Sequence, residues 1–237
     1  IPSAVFTAGS IFSKIIPRTY GYFSLRRRME RFFEGKNLSV LERHHNWISV
    51  FSDELIRQSL VPDLMKNDFK TNLENDVFEK VKDLSLLNKL LYLNFTSYLP
   101  DDLNVKMDRM SMANSLETRS PMLDTSLFEY AATLPQEFKI YKGQAKYIIK
   151  EAFKDLIPSE ILKRKKHGFG VPIANWFFGD LGKYFIDNVL VENAKSKTYL
   201  KQEIVKSLYD DHINRIADHS QKLWLILQFE LWLKKFI

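Results

Sequence analysis

The stretch YLPDDLNVKMDRMSMANSLETRSPMLD, from Tyr98 to Asp124, changes character half-way along. Its first part spaces apolar side chains as a helix does: Leu103, Met107 and Met110 fall at i, i+4 and i+7. Asn104, Asp108, Ser111 and Ser115 fall at i, i+4, i+7 and i+11, which predicts a polar second face. Leu99-Pro100-Asp101-Asp102 supplies a start, since carboxylates there accept from the free N–H groups of a first turn and oppose its dipole. Pro121 then biases Ser120 towards extended backbone. If that geometry reaches back a few residues, Glu117 and Arg119 project to the same side, because alternate side chains of an extended chain share a face. An acid beside a base at a bend marks the first candidate site.

The rest of the chain is bounded by composition. It has 237 residues and is 45% hydrophobic, enough for a real core in one large domain or two small ones. With no cysteine there is no disulfide framework, thiolate metal site or cysteine nucleophile, which fits a reducing, cytoplasmic setting. The first residues are Ile1-Pro2 rather than Met, which points to a fragment, and no signal-peptide pattern is visible. The most apolar run, Leu223 to Ile237, contains Gln228, Glu230, Lys234 and Lys235, so it reads as a buried helix and not a membrane span.

Taken in order, the N-terminal section to about Leu64 reads as helical, with breaks at Pro2, Pro17, Gly35 and Pro62. Arg26-Arg27-Arg28 falls on its first long helix. His44 and His45 are adjacent, and about 100° apart on a helix they make a poor metal pair. Asp63 to Glu79 is a polar connection plus a short helix, and Leu84 to Leu99 is a strongly apolar, central helix. Asp124 caps a helix through Leu134, and Phe138 to Tyr141 is a short extended piece leading to Gly143. A Lys-rich amphipathic helix follows, with Tyr147, Ile148, Ala152 and Phe153 on its inner side. After Trp176 the chain passes through Gly179 and Gly182 into two closing helices. No repeat, low-complexity tract or long alternating strand pattern occurs, so the chain is predicted to be mainly α.

The formal charge of +6 is concentrated between Lys139 and Lys166, where nine Lys/Arg face three acids. Nucleic acid as a partner would call for aromatic interleaving or a docking motif, and neither is present. A solvated helix face accounts for most of Lys142 to Lys154. The tighter cluster Lys163-Arg164-Lys165-Lys166 runs through His167 into Gly168 and Gly170. Cations beside a backbone able to approach a ligand closely meet the needs of a phosphate site. Lysines near a helix C-terminus are also favoured by the dipole alone, so the two readings stand side by side.

Four blocks then carry a resemblance. Leu99-Pro100-Asp101-Asp102, Asp108-Arg109-Met110-Ser111-Met112-Ala113, Leu116-Glu117-Thr118-Arg119-Ser120-Pro121-Met122-Leu123-Asp124 and Lys165-Lys166-His167-Gly168-Phe169-Gly170-Val171-Pro172 follow one another in the order found in glutamine-dependent asparagine synthetases. Ser120 and Met122 depart mildly from that family's Val and Phe. His212, His219-Ser220 and Leu223-Trp224 resemble its closing helices. The likeness is strongest from Tyr98 to Trp176.

The resemblance implies that residues 1–237 are part of one synthetase domain: the helical C-terminal portion of an α/β nucleotide-binding domain of the PP-loop ATP pyrophosphatase type, without its parallel sheet. The family's SGGxDS loop is absent, and Thr7-Ala8-Gly9-Ser10 is no substitute; its glutaminase domain is absent as well. The implied reaction uses ATP with Mg2+ to adenylate the aspartate side chain, and ammonia from a glutaminase domain then yields asparagine. By motif position Lys166 would contact phosphate, with Lys165 as fallback and Gly168 admitting the ligand. Asp108, Arg109, Glu117 and Arg119 would shape the nucleotide and aspartate pocket, or else form a buried network that only holds the fold. No metal ligand set, nucleic acid or membrane is implied, a homodimer is admitted, and this portion alone is expected to be inactive. A related adenylating enzyme forming another amide or a β-lactam, and a non-catalytic helical interaction module, are the alternatives.

Overall fold

The computed structural model describes residues 16, 29, 32–33, 38–64, 73–164 and 170–237. The expectations for Arg26-Arg27-Arg28, for Thr7 to Ser10 and for the breaks at Pro2, Pro17 and Gly35 lie outside them, as do Lys165, Lys166 and Gly168. The chain divides into two compact units, one formed by Ile1–Lys70 with Gly168–Ile237 and the other by Thr71–His167. The sheet among the described residues is a single two-stranded hairpin, and the fold is mainly helical as the sequence predicts.

In the first unit, α1 (Val40–Ile48) opens with a capping box: the Ser39 hydroxyl accepts from the Glu42 N–H at 3.2 Å, and the Glu42 carboxylate accepts from the Ser39 N–H at 2.7 Å. His45 Nε2 lies 3.1 Å from the Ser49 hydroxyl. Ser52 caps α2 (Asp53–Ser59). Backbone hydrogen bonds from Val61 to Tyr199 and from Lys201 to Ser59 then tie the end of α2 to the C-terminal half of the chain.

That half contains α10 (Ile173–Trp176), α11 (Asp180–Val189), a 3-10 turn (Lys195–Thr198), α12 (Gln202–Ile213) and α13 (Ser220–Phe236). Three helices of two turns or more close the chain where the glycines predicted two. The difference lies at Gly182, which does not break the chain but sits buried inside α11. A Cβ there would stand 2.1 Å from the Phe177 carbonyl oxygen, so the absence of a side chain is what allows α10 and α11 to close on each other. Phe177, Phe185, Val189, Val205, Leu223, Ile226 and Leu227 form the core between these helices.

Two buried polar groups lock this core. Glu230 on α13 is fully buried, and its carboxylate accepts from the Lys195 and Ser196 N–H groups at 3.0 and 2.7 Å. Burial by itself would raise its carboxyl; hydrogen bonds from Ser196 and Lys195, with the Lys234 ammonium 3.5 Å away, outweigh that and hold it low. His212 on α12 is fully buried as well. Its Nε2 meets the Ala174 carbonyl at 3.1 Å and its Nδ1 meets the His219 N–H at 3.3 Å. A carbonyl only accepts and a backbone N–H only donates, so the proton of the neutral ring sits on Nε2.

The second unit begins with α3 (Leu73–Lys80) and α4 (Leu86–Thr96), the latter capped by Ser85. A π-helical turn (Leu99–Asn104) runs into α5 (Val105–Met112). Asp101 and Asp102 do not cap this helix: its N-cap is Tyr98, and the Asp101 N–H already bonds the Ser97 carbonyl. Both acids do fall in its first turn, where they oppose the helix dipole as the sequence predicts, and Asp102 faces Lys106 at 3.8 Å.

Asp124 caps α6 (Thr125–Thr133) as predicted, accepting from the Leu127 N–H at 3.0 Å. The expected extended piece at Phe138 is half helical: α7 (Gln136–Lys139) precedes β1 (Ile140–Tyr141), which pairs with β2 (Gln144–Ala145) around Lys142 and Gly143, both at positive φ. Lys139, counted above in the basic patch, is taken up internally, donating to Asn88 Oδ1 at 2.9 Å and to the Ala132 carbonyl at 3.1 Å. α8 (Tyr147–Ala152) and α9 (Ser159–Lys163) complete the unit.

Packing differs sharply between the units. Leu93 is the buried hydrophobic residue among those described in the second unit. Of the apolar face predicted from Leu103, Met107 and Met110, Leu103 is half-buried while Met107 and Met110 are more than half exposed, so that face is only partly covered by the residues described around it. Ala152 and Phe153 are exposed too, against the expectation of an inner side, while Tyr147 and Ile148 are half-buried. A helical layer with its apolar side open calls for a second layer. Among the described residues, no helix is long and apolar enough to cross a membrane.

Candidate functional site

The site is built where α5 stops. Met112 is its last residue, so Ser115 leaves the polar stripe that the spacing predicts. Ser115 instead takes a left-handed conformation with φ 57°. The Leu116 N–H reaches back to the Ser111 carbonyl and the Ser115 N–H to that of Met112, both at 3.0 Å. This pair of bonds is a Schellman closure, made here with serine where glycine is usual. The Asn114 side chain donates to the Met110 carbonyl at 2.9 Å and satisfies a further group at the helix end.

Beyond this stop the chain leaves the helix, and Ser120 (φ −95°, ψ 112°) is extended, as its position before Pro121 favours. The Ser111 and Thr118 hydroxyls, 3.4 Å apart, hold this segment against the helix it has just left. Glu117 and Arg119 project together. Arg119 Nε and Nη2 stand 2.8 and 2.7 Å from the same carboxylate oxygen, Glu117 Oε1. Their side chains are 69% and 86% exposed, so this is no buried brace.

Asp108 and Arg109 are also exposed, on the last turns of α5. Among the described residues these four side chains face outwards. Lys163 ends α9 exposed and Arg164 caps it, which places the start of the basic cluster at a helix C-terminus. Lys154, by contrast, pairs with Glu151 at 3.7 Å on a solvated face. Among the described residues, no group of three or more His, Asp or Glu side chains could hold a metal ion.

Sequence reasoning missed the two buried polar residues that hold the first unit's core together. Glu230 and His212 read as ordinary polar residues, and their burial is decided by elements 34 to 38 residues away in the chain. The signal for Glu230 was present in outline: one acid in an otherwise apolar helical run demands a partner.

The asparagine synthase family model matches residues 17–234. Asparagine synthetase [glutamine-hydrolyzing] 1 of Bacillus subtilis is 32% identical over 180 residues, which cover 76% of this chain and 28% of that protein. The Homo sapiens asparagine synthetase [glutamine-hydrolyzing] is 38% identical over 136 residues, 51% of this chain and 24% of that one. No solved structure gives a significant match. The chain belongs to the asparagine synthase family and corresponds to a helical part of its synthetase domain. It spans less than a third of the length of these relatives.

Proposed function

We propose that this chain forms the helical wall of an adenylating pocket in an ATP-dependent, glutamine-using asparagine synthetase, and that residues 1–237 are a partial synthetase domain. The observation that carries the reading is the Glu117–Arg119 pair. It is exposed on an ordered bend, within the family's motifs, beside an apolar face that lacks a second layer.

In this reading an oxygen of the aspartate side-chain carboxylate attacks the α-phosphorus of ATP, the bond to the β-phosphate breaks, and pyrophosphate leaves. Ammonia then attacks the acyl carbon and loses a proton, and AMP departs with the anhydride oxygen. Both steps need cations where charge develops and a site that keeps water from the anhydride. Arg119 offers a planar set of donors suited to carboxylate or phosphate, and Glu117 fixes its direction. Asp108 and Arg109 shape the same wall. Lys166 neutralises the departing phosphates, with Lys165 beside it and Gly168 admitting close approach.

Magnesium carried on the triphosphate supplies further charge neutralisation, and the phosphates rather than a protein cage would hold it. The glutaminase activity that supplies ammonia, a cytoplasmic location and any homodimer belong to the full-length protein. The portion described here would be inactive alone.

In the full-length protein, Lys166→Ala is expected to lower asparagine formation at least tenfold with little change in thermal stability. Unchanged turnover would remove the basic loop from the mechanism. Pyrophosphate release measured with aspartate and with other carboxylates decides the substrate, and release with a different carboxylate alone would exclude asparagine as the product.

A further inference from the structure

Lys166 lies six residues ahead of Pro172, and the stretch between them contains Gly168 and Gly170. Glycines widen the backbone's choice of conformation, so a cation carried on such a stretch is directed by the ends that hold it. The C-terminal end is α10. Gly170, Val171 and Pro172 are exposed, and two residues further on Ala174 is buried. The Asn175 and Trp176 N–H groups both donate to the Pro172 carbonyl, at 3.0 and 3.2 Å, so the helix starts on the last residue of the basic stretch.

One buried ring fixes that helix. α10 finishes tightly: the Phe178 N–H bonds the Asn175 carbonyl at 3.1 Å, one residue short of the Ala174 carbonyl that an α-turn would use. The Ala174 carbonyl is met instead by His212 Nε2, 3.1 Å away. The same imidazole stacks on Phe178 with centroids 5.0 Å apart and stands edge-on to Phe177 at 5.8 Å. The ring is set in turn by the His219 N–H, which meets Nδ1 at 3.3 Å. An apolar ring would fill this space without the cost of burying two nitrogens. What the imidazole adds is direction, because each nitrogen is tied to one backbone group on a different side.

We propose that His212 is a positioning residue for the basic stretch: by fixing Ala174 and Phe178 it sets the point from which Lys166 reaches the nucleotide. The proposal rests on the reading of Lys166 given above, and His212 itself touches no substrate. A small misplacement of a charge-neutralising group is costly because the reacting phosphate tolerates little error in distance.

The test uses two variants of the full-length protein. His212→Asn keeps an acceptor near the Nδ1 position for the His219 N–H and withdraws the donor from Ala174. His212→Gln keeps a donor that reaches Ala174. Pyrophosphate release is measured against ATP concentration, with rates expressed per folded molecule from circular dichroism. His212→Asn is expected to raise the KM for ATP at least fivefold, while His212→Gln stays within twofold of the wild type. In a Lys166→Ala background the effect of His212→Asn should vanish, since there is no longer a cation to misplace. Equal effects of the two variants, an unchanged KM in His212→Asn, or an effect of the same size without Lys166 would overturn the proposal. So would loss of the folded state in His212→Asn, which would mark the residue as a brace of the core alone. Wild-type pyrophosphate release by Lys166→Ala itself would instead remove the reading of the basic stretch, and this proposal with it.

Discussion

Arg119 delivers two N–H groups, at 2.8 and 2.7 Å, to the single oxygen Oε1 of Glu117, on a segment exposed to solvent. An exposed ion pair of this kind stabilises a fold by less than about 1 kcal/mol. Its order therefore reflects the bend that holds it. Glu117→Gln in the full-length protein is expected to shift the melting temperature by no more than about 2 °C while reducing asparagine formation at least tenfold. Turnover within twofold of the wild type would show that the pair does not face a ligand.

The closure of α5 places a non-glycine residue, Ser115, at φ 57°. Ser115→Gly removes the Cβ clash without disturbing either Schellman bond, so a gain of about 0.5–1 kcal/mol is expected in urea unfolding. A loss would mean that the serine side chain contributes more than its backbone geometry costs.

Gly182→Ala tests the opposite situation. The added Cβ would meet a carbonyl oxygen at 2.1 Å, which is backbone and has no rotamer to move. A loss of about 2–3 kcal/mol is expected by chemical unfolding. A neutral result would disprove the close approach of α10 and α11.

Glu230→Ala leaves the Lys195 and Ser196 N–H groups in a dry site with no acceptor. About 3 kcal/mol of stability should disappear at neutral pH. Because the carboxyl is held low in the folded state, the wild-type advantage is present above its ordinary value near 4.5 and is lost as pH falls through the folded value. The variant and the wild type should converge in that acid range; a constant gap would show that the charge is not what Glu230 supplies.

His219 gives a second, separate window. Burial first, and then the charge of Lys222, push its imidazole from 6.5 down to about 4. The folded state thus prefers the neutral ring, while the unfolded chain takes up a proton below 6.5. Stability from this group is complete above pH 6.5 and is lost as the pH falls from there to about 4. The melting temperature should decline across that interval, and His219→Gln should flatten the decline. An unaltered slope in the variant would assign it to other groups.

Much of this was legible in the chain itself. Apolar residues at helical spacing foretold a mainly helical fold, Asp124 before Thr125 marked a helix start, and Pro121 biased Ser120 to extended backbone. These outcomes depend on neighbours a few residues away, which local sterics and hydrogen bonding decide. The blocks from Leu99 to Pro172 also carried the family. Spacing alone did not reveal that α5 would stop at Met112, because a left-handed serine takes the place of the glycine that signals such a stop.

Tertiary structure decided the rest. Whether Asp108, Arg109, Glu117 and Arg119 were buried or exposed, which lysine of the basic stretch would be spent on Asn88, and which acid would vanish under Lys195 and Ser196 all depend on groups far apart in sequence. Burial is a property of what the other elements cover, and a carboxylate's cost or benefit follows from the donors they bring to it. The amino-acid order therefore determined where helices start, where the chain bends and which family it belongs to. Only the packed fold determined which charges are locked inside, as Glu230 is under the Lys195 and Ser196 N–H groups.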